Sequence, residues 1–154
     1  MSQRFFEDFR PGESLSFGSY TLSEEELTDF AQDYDPQPFH IDDEAARNSI
    51  FGGLIASGWH TAAVTMKLFV ENVLLDCATI GSPGFDDLRW HQPVRPEDTL
   101  RVEATCVNTR PSGSRPEIGT VEYELKVFNQ HDELIASLRY IVLVRRRGAI
   151  EARG

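Results

Sequence analysis

SGWHTAAVTMKLFVENVLL, from Ser57 to Leu75, distributes Trp59, Ala62, Ala63, Met66, Leu68, Phe69, Val73 and Leu74 around most of a helical circumference. A helix that is apolar on nearly every side must be covered on nearly every side. A long central helix is therefore expected over about residues 57 to 76, and the rest of the chain has to supply its cover.

Downstream of Gly84 the composition changes to β-rich runs at Phe85–Trp90, Leu100–Asn108, Gly119–Phe128 and Glu133–Val144. Their separators are turn-forming: Pro93 to Asp98, Arg110 to Pro116, and the polar link Asn129 to Asp132. Four antiparallel strands are expected there. Upstream, Ser14 to Leu22 reads as an entry strand after Pro11 and Gly12. Ser23 followed by Glu24, Glu25 and Glu26 then predicts a capping box that opens a helix carrying Leu27, Phe30 and Ala31. Pro36 and Pro38 stop that helix, so Asp35 to His40 is expected as a rigid loop, with a second short helix at about Asp42 to Asn48. One buried helix and a curved antiparallel sheet of five or so strands satisfy each other when the sheet wraps the helix, giving an α+β domain.

The 154 residues, 40% apolar and 10% aromatic, suit one domain spanning residues 1–154. With 25 acidic and 15 basic residues the formal charge is -10, which argues against nucleic acid as a partner. Cys77 and Cys106 fit neither a disulfide framework nor a zinc site and suit a reducing compartment. The first residues, MSQRFFEDFRPGE, lack an apolar leader core, and no run approaches the roughly 20 apolar residues that cross a bilayer. A soluble, cytoplasmic protein is expected, with no membrane partner.

Chemistry concentrates in FAQDYDPQPFHIDDEAA, where Asp35 and His40 stand on a proline-stiffened segment. An acid–base pair is effective when its atoms are held within reach of one reacting proton, and prolines supply that preorganisation. The commoner role of such residues is a surface turn closing a helix. Beyond them, Gly52 to His60 leads into the central helix, whose free N–H groups and positive potential can receive a developing oxyanion. Trp59 and His60 on that first turn are more often packing residues, although pocket mouths are lined by such groups. His91 and His131 read as structural or solvated. Arg145, Arg146 and Arg147 read as a solvated strand end before a phosphate contact.

Three motifs in order carry a family resemblance: Asp35-Pro36-Gln37-Pro38-Phe39-His40, Ala56-Ser57-Gly58, and the run from Trp90 through Pro93-Val94 and Glu97-Asp98 to Leu100. Over about residues 10 to 145 the chain resembles the MaoC-like dehydratases, or R-specific enoyl-CoA hydratases. It departs from their pattern at Gln37, where asparagine is usual, at Ser57, where histidine is usual, and at Glu97, where a turn glycine is usual. The resemblance implies a hotdog fold, a long helix wrapped by a curved antiparallel sheet, and a homodimer joined edge to edge. It implies Asp35 and His40 as catalytic residues activating one water for reversible addition to a trans-2-enoyl-CoA, giving an R-3-hydroxyacyl-CoA. It further implies the Gly58 N–H as the oxyanion hole, and Gln37, Phe39, Ser57 and Trp59 beside it as substrate-binding positions. The acyl-CoA is the substrate, and neither a metal nor a bound cofactor is called for. Two other readings are a hotdog acyl-CoA thioesterase and a non-catalytic acyl-CoA binding module.

Overall fold

The computed structural model describes residues 3–148, so the ends of the expected 1–154 domain, at 1–2 and 149–154, lie outside the described residues. Strand β1 (Ser14–Thr21) enters the sheet and passes to helix α1 (Glu24–Tyr34). Ser23 caps α1 by accepting from the Glu26 N–H at 3.1 Å. The expected capping box is only half formed, because the Glu26 carboxylate turns away to accept from the Tyr20 hydroxyl and to face His60. Two short helices follow, α2 (Pro38–Ile41) and α3 (Asp43–Arg47), the latter capped by Asp42. The Asp35 to His40 segment is thus partly helical rather than a loop throughout. Pro38 sits at the first helical position, where a missing N–H costs nothing and a fixed φ helps.

Central helix α4 (Gly58–Phe69) widens into a π-helical turn at Val70–Leu74 before the chain leaves for the sheet. It is not covered all round. Val64, Leu68 and Phe69 are buried, whereas Trp59, Ala63 and Lys67 form an exposed stripe on the other side.

Strands β2 (Gly84–Trp90), β3 (Thr99–Pro111), β4 (Ile118–Phe128) and β5 (Leu134–Arg145) join β1 in one antiparallel sheet of order β1-β3-β4-β5-β2. Strand alternation points one face inward: Leu100, Val102, Ala104 and Cys106 from β3, Val121, Tyr123, Leu125 and Val127 from β4, and Leu138 and Val142 from β5 are all buried. Phe69 of α4 is fully enclosed, edge-on to Tyr123 with ring centroids 5.0 Å apart and to Tyr140 at 5.9 Å. This is the hotdog arrangement, helix inside and curved sheet outside. Cys77 and Cys106 are free thiols within that core. No helix among the described residues is long and apolar enough to cross a membrane.

The arrangement leaves the start of α4 accessible. The segment before it is tied on two sides: Ile55 N–H donates to the Phe39 carbonyl (3.3 Å), and Ala56 N–H to the Val94 carbonyl (2.9 Å). The three sequence motifs therefore meet at one place through backbone bonds.

Candidate active site

Asp35 is the residue that ends α1. Its N–H still bonds to Ala31 O, its own backbone has left the helical region, and Pro36 forbids a further turn. Gln37 then starts α2 and places His40 on the turn facing back toward Asp35. The His40 Nδ1 lies 2.7 Å from the Ile55 carbonyl oxygen, which can only accept, so Nδ1 carries the hydrogen. Nε2 is thereby left free, 3.3 Å from Asp35 Oδ2. His40 is buried and Asp35 nearly so, the latter's side chain being 18% exposed.

The Asp35 carboxylate is held from two further directions. Gln37 Nε2 donates to Oδ1 and Ser57 Oγ donates to Oδ2, each at 2.8 Å. Burial alone raises the carboxyl's proton affinity. The hydrogen bonds from Gln37 and Ser57, joined by His40 when its ring carries a charge, outweigh it and bring Asp35 below its ordinary value of 3.8.

Ser57 also caps α4, its Oγ accepting from the Trp59 N–H at 3.3 Å. Gly58 N–H, the first helical amide, has no acceptor among the described residues and stands at the positive end of α4. Glycine is required there by close approach: a Cβ on Gly58 would lie 2.3 Å from the Trp90 ring, whose Nε1 donates to the Gly58 carbonyl at 3.1 Å.

A cavity of about 460 Å³ opens at this point, and Asp35, Gln37, His40, Gly58 and Trp59 all line it. Phe39 and Ser57 do not. Phe39 packs behind the wall against Phe51, and Ser57 is fully buried beneath Asp35. The remaining lining is apolar on one side, with Phe51, Ile55, Ala56 and Val94, and aromatic on the other, where Trp90 meets Trp59 edge-on at 5.5 Å. Trp90, His91, Gln92 and Thr61 line the cavity without having been singled out as site residues from the sequence. The available signal was that Trp90 opens the third motif. His91 also has a partner that the sequence did not reveal, with Nε2 2.8 Å from Ser137 Oγ.

The other candidates lie elsewhere. His60 is buried on the far side of α4, stacked on Phe30 at 4.4 Å with Nε2 3.5 Å from Glu26. His131 lies in the β4–β5 link, its N–H bonded to Asn129. Arg146 and Arg147 pair with Glu7 and Asp8. An acid–base pair, a helix-end amide and an apolar cleft on one surface together suit addition to, or elimination from, an activated carbonyl compound.

Comparison with known proteins places the fold. A solved MaoC-like dehydratase from Rhodospirillum rubrum is 40% identical and superposes with a TM-score of 0.81, over 93% of this chain and 97% of that one. A monoamine oxidase regulatory protein from Archaeoglobus is 30% identical with a TM-score of 0.86, over 95% and 97% of the two chains. The mesaconyl-CoA hydratase of Cereibacter sphaeroides is 30% identical over 147 residues, and this chain spans 42% of that enzyme's length. The family model described as a MaoC-like domain matches residues 7–128, so that Asp35, His40 and the start of α4 all fall inside the match, and the chain belongs to the MaoC-like dehydratase family.

Proposed function

We propose that the protein reversibly hydrates a trans-2-enoyl-CoA to an R-3-hydroxyacyl-CoA. The observation that carries this reading is the convergence of Asp35 and His40, 3.3 Å apart, on a cavity that the first amide of α4 also borders. In this mechanism one water donates hydrogens to Asp35 and to the free Nε2 of His40. Nε2 takes a proton as the hydroxide oxygen bonds to the β-carbon, and the double-bond electrons pass through the α-carbon to the thioester oxygen. Gly58 N–H stabilises that oxygen as it gains charge, and Asp35 stabilises the transient imidazolium. The proton then moves from Nε2 to the α-carbon on the same face, so that water is added and the pair is restored. The balance needs neither metal nor cofactor.

A homodimer completes the reading. β2 is an outer strand, and Phe85 and Trp90 on it, with Trp59 beside it, are each about half exposed. An uncovered apolar edge favours pairing with a second copy.

Loss of the conjugated thioester absorbance with crotonyl-CoA and longer homologues tests the activity. Turnover without thiol release supports hydration. Thiol release instead would assign thioester cleavage, and tight acyl-CoA binding with no turnover at any chain length would leave only a binding module.

A further inference from the structure

Two of the three positions at which this chain departs from its family's pattern make a hydrogen bond to the same carboxylate. Gln37 reaches Asp35 Oδ1 and Ser57 reaches Oδ2. We infer that Gln37 and Ser57 are a coupled pair of positioning residues that fix the Asp35 carboxylate in rotation and in distance from the Gly58 amide. This rests on the hydration reading for its catalytic meaning, and on geometry alone for the contacts.

Ser57 is fully buried and off the cavity wall, so its hydroxyl is out of reach of a substrate that occupies the cavity. Its single oxygen does two things at once: the O–H donates to Asp35 while a lone pair accepts the Trp59 N–H at the start of α4. The carboxylate is thereby linked through one atom to the helix end that presents Gly58. Any tilt of α4 moves the water-binding group with it, which keeps the attacking oxygen and the oxyanion donor in register.

Ser57 alone would leave the carboxylate free to swing about its bond to Cβ. Gln37 closes that freedom from the opposite side, and His40 Nε2 faces the oxygen that Ser57 holds. Among the described residues, Gln37 at the α2 cap, His40 within α2 and Ser57 at the α4 cap are the side chains bonded to or facing the carboxylate. A charged acceptor held by two donors gives its remaining lone pairs fixed directions, and Asp35 lines the cavity.

The experiment combines kinetics with a measurement that needs no turnover. Gln37→Met, Ser57→Ala, Ser57→Thr and the double variant Gln37→Met/Ser57→Ala are prepared, and the Asp35 side-chain carbon is titrated by NMR in each. Gln37 is on the surface, so Gln37→Met keeps the fold even if loss of the Ser57 cap does not. Removing either donor is expected to move the Asp35 titration to higher pH. With crotonyl-CoA it should lower kcat by about tenfold with KM changed less than about twofold. Ser57→Thr keeps the hydroxyl and should restore both readouts, and the double variant should cost less than the product of the singles. An unmoved Asp35 titration in Gln37→Met and Ser57→Ala overturns the inference. So does a rise in KM at constant kcat in Gln37→Met, which would make Gln37 a substrate contact. If the wild-type protein turns over no enoyl thioester, the hydration reading fails, while the titration still decides whether these side chains govern Asp35.

Discussion

His40 has one nitrogen committed to a backbone carbonyl and the other facing Asp35, so its tautomer is settled by the fold. Replacing it by glutamine, or Asp35 by asparagine, should keep the fold and lower enoyl-CoA hydration by roughly 10²- to 10⁴-fold, the usual scale for a lost acid or base. Steady-state kinetics on folded samples checks this, and undiminished rates would remove both residues from the chemistry. Gly58→Ala should be equally damaging for a steric reason, since the new methyl would overlap the Trp90 ring and push it off the helix end. Loss of the Trp90 fluorescence environment alongside activity would show it. That Asp35, His40 and Gly58 meet at one cavity was anticipated by the ordered motifs that carry the family resemblance, since proline spacing and a glycine at a helix start alone read equally as a surface turn and a helix entry. Trp90 and His91 were not, because which residues of a strand end look into a cleft depends on how β2 packs against α4. Ser57 was legible as a departure, but its burial under Asp35 required three dimensions.

At the level of the elements, the helices and strands expected from pattern are present, with end shifts of a few residues. The differences have physical causes. The half-formed box on α1 arises because Tyr20 and His60 compete successfully for the Glu26 carboxylate. Burial lowers the proton affinity of His60 below the ordinary imidazole value of 6.5, with Glu26 opposing in part, and its Nδ1 has no partner among the described residues. The sign follows directly: below about 6.5 the unfolded chain takes up this proton before the folded one does, so stability is full above that pH and falls on acidification. His60→Phe, which preserves the stack on Phe30, should flatten the loss of stability between neutral and mildly acidic pH. Urea titrations at a series of pH values measure it, and an unchanged pH slope would contradict it. Glu97 provides a second test. Its backbone sits at φ +70, a conformation that costs a side chain about 1 kcal/mol, against one long bond from Glu24 N–H at 3.4 Å. Glu97→Gly should therefore raise Tm by about 2–4 °C; a fall would show that the capping contact outweighs the strain.

For the molecule as a whole, pattern predicted a helix buried on nearly every side, yet the single chain leaves Trp59, Ala63 and Lys67 uncovered, with Trp59 against Trp90 at the end of outer strand β2. Sequence periodicity reports that a surface is apolar without saying whether the same chain or another one covers it. Sedimentation should give twice the protomer mass, and Phe85→Glu, on the outer strand away from the cavity lining, should shift the equilibrium toward the monomer. A monomer at all concentrations in the wild-type protein would refute edge pairing.

Arg95 sends its guanidinium to the carbonyls of Phe51 and Gly53, at 2.6 and 3.2 Å, and so fastens the segment on one flank of the cavity to the β2–β3 connection. His40 and the start of α4 are held by other bonds, through the backbone of Ile55 and Ala56 and the side chain of Ser57. Selection can therefore lengthen or reshape the segment around Phe51 and Gly53 while Asp35, His40 and the start of α4 stay where they are. On the hydration reading, diversification of acyl preference among descendants of this chain would have a route that leaves Asp35 and His40 untouched.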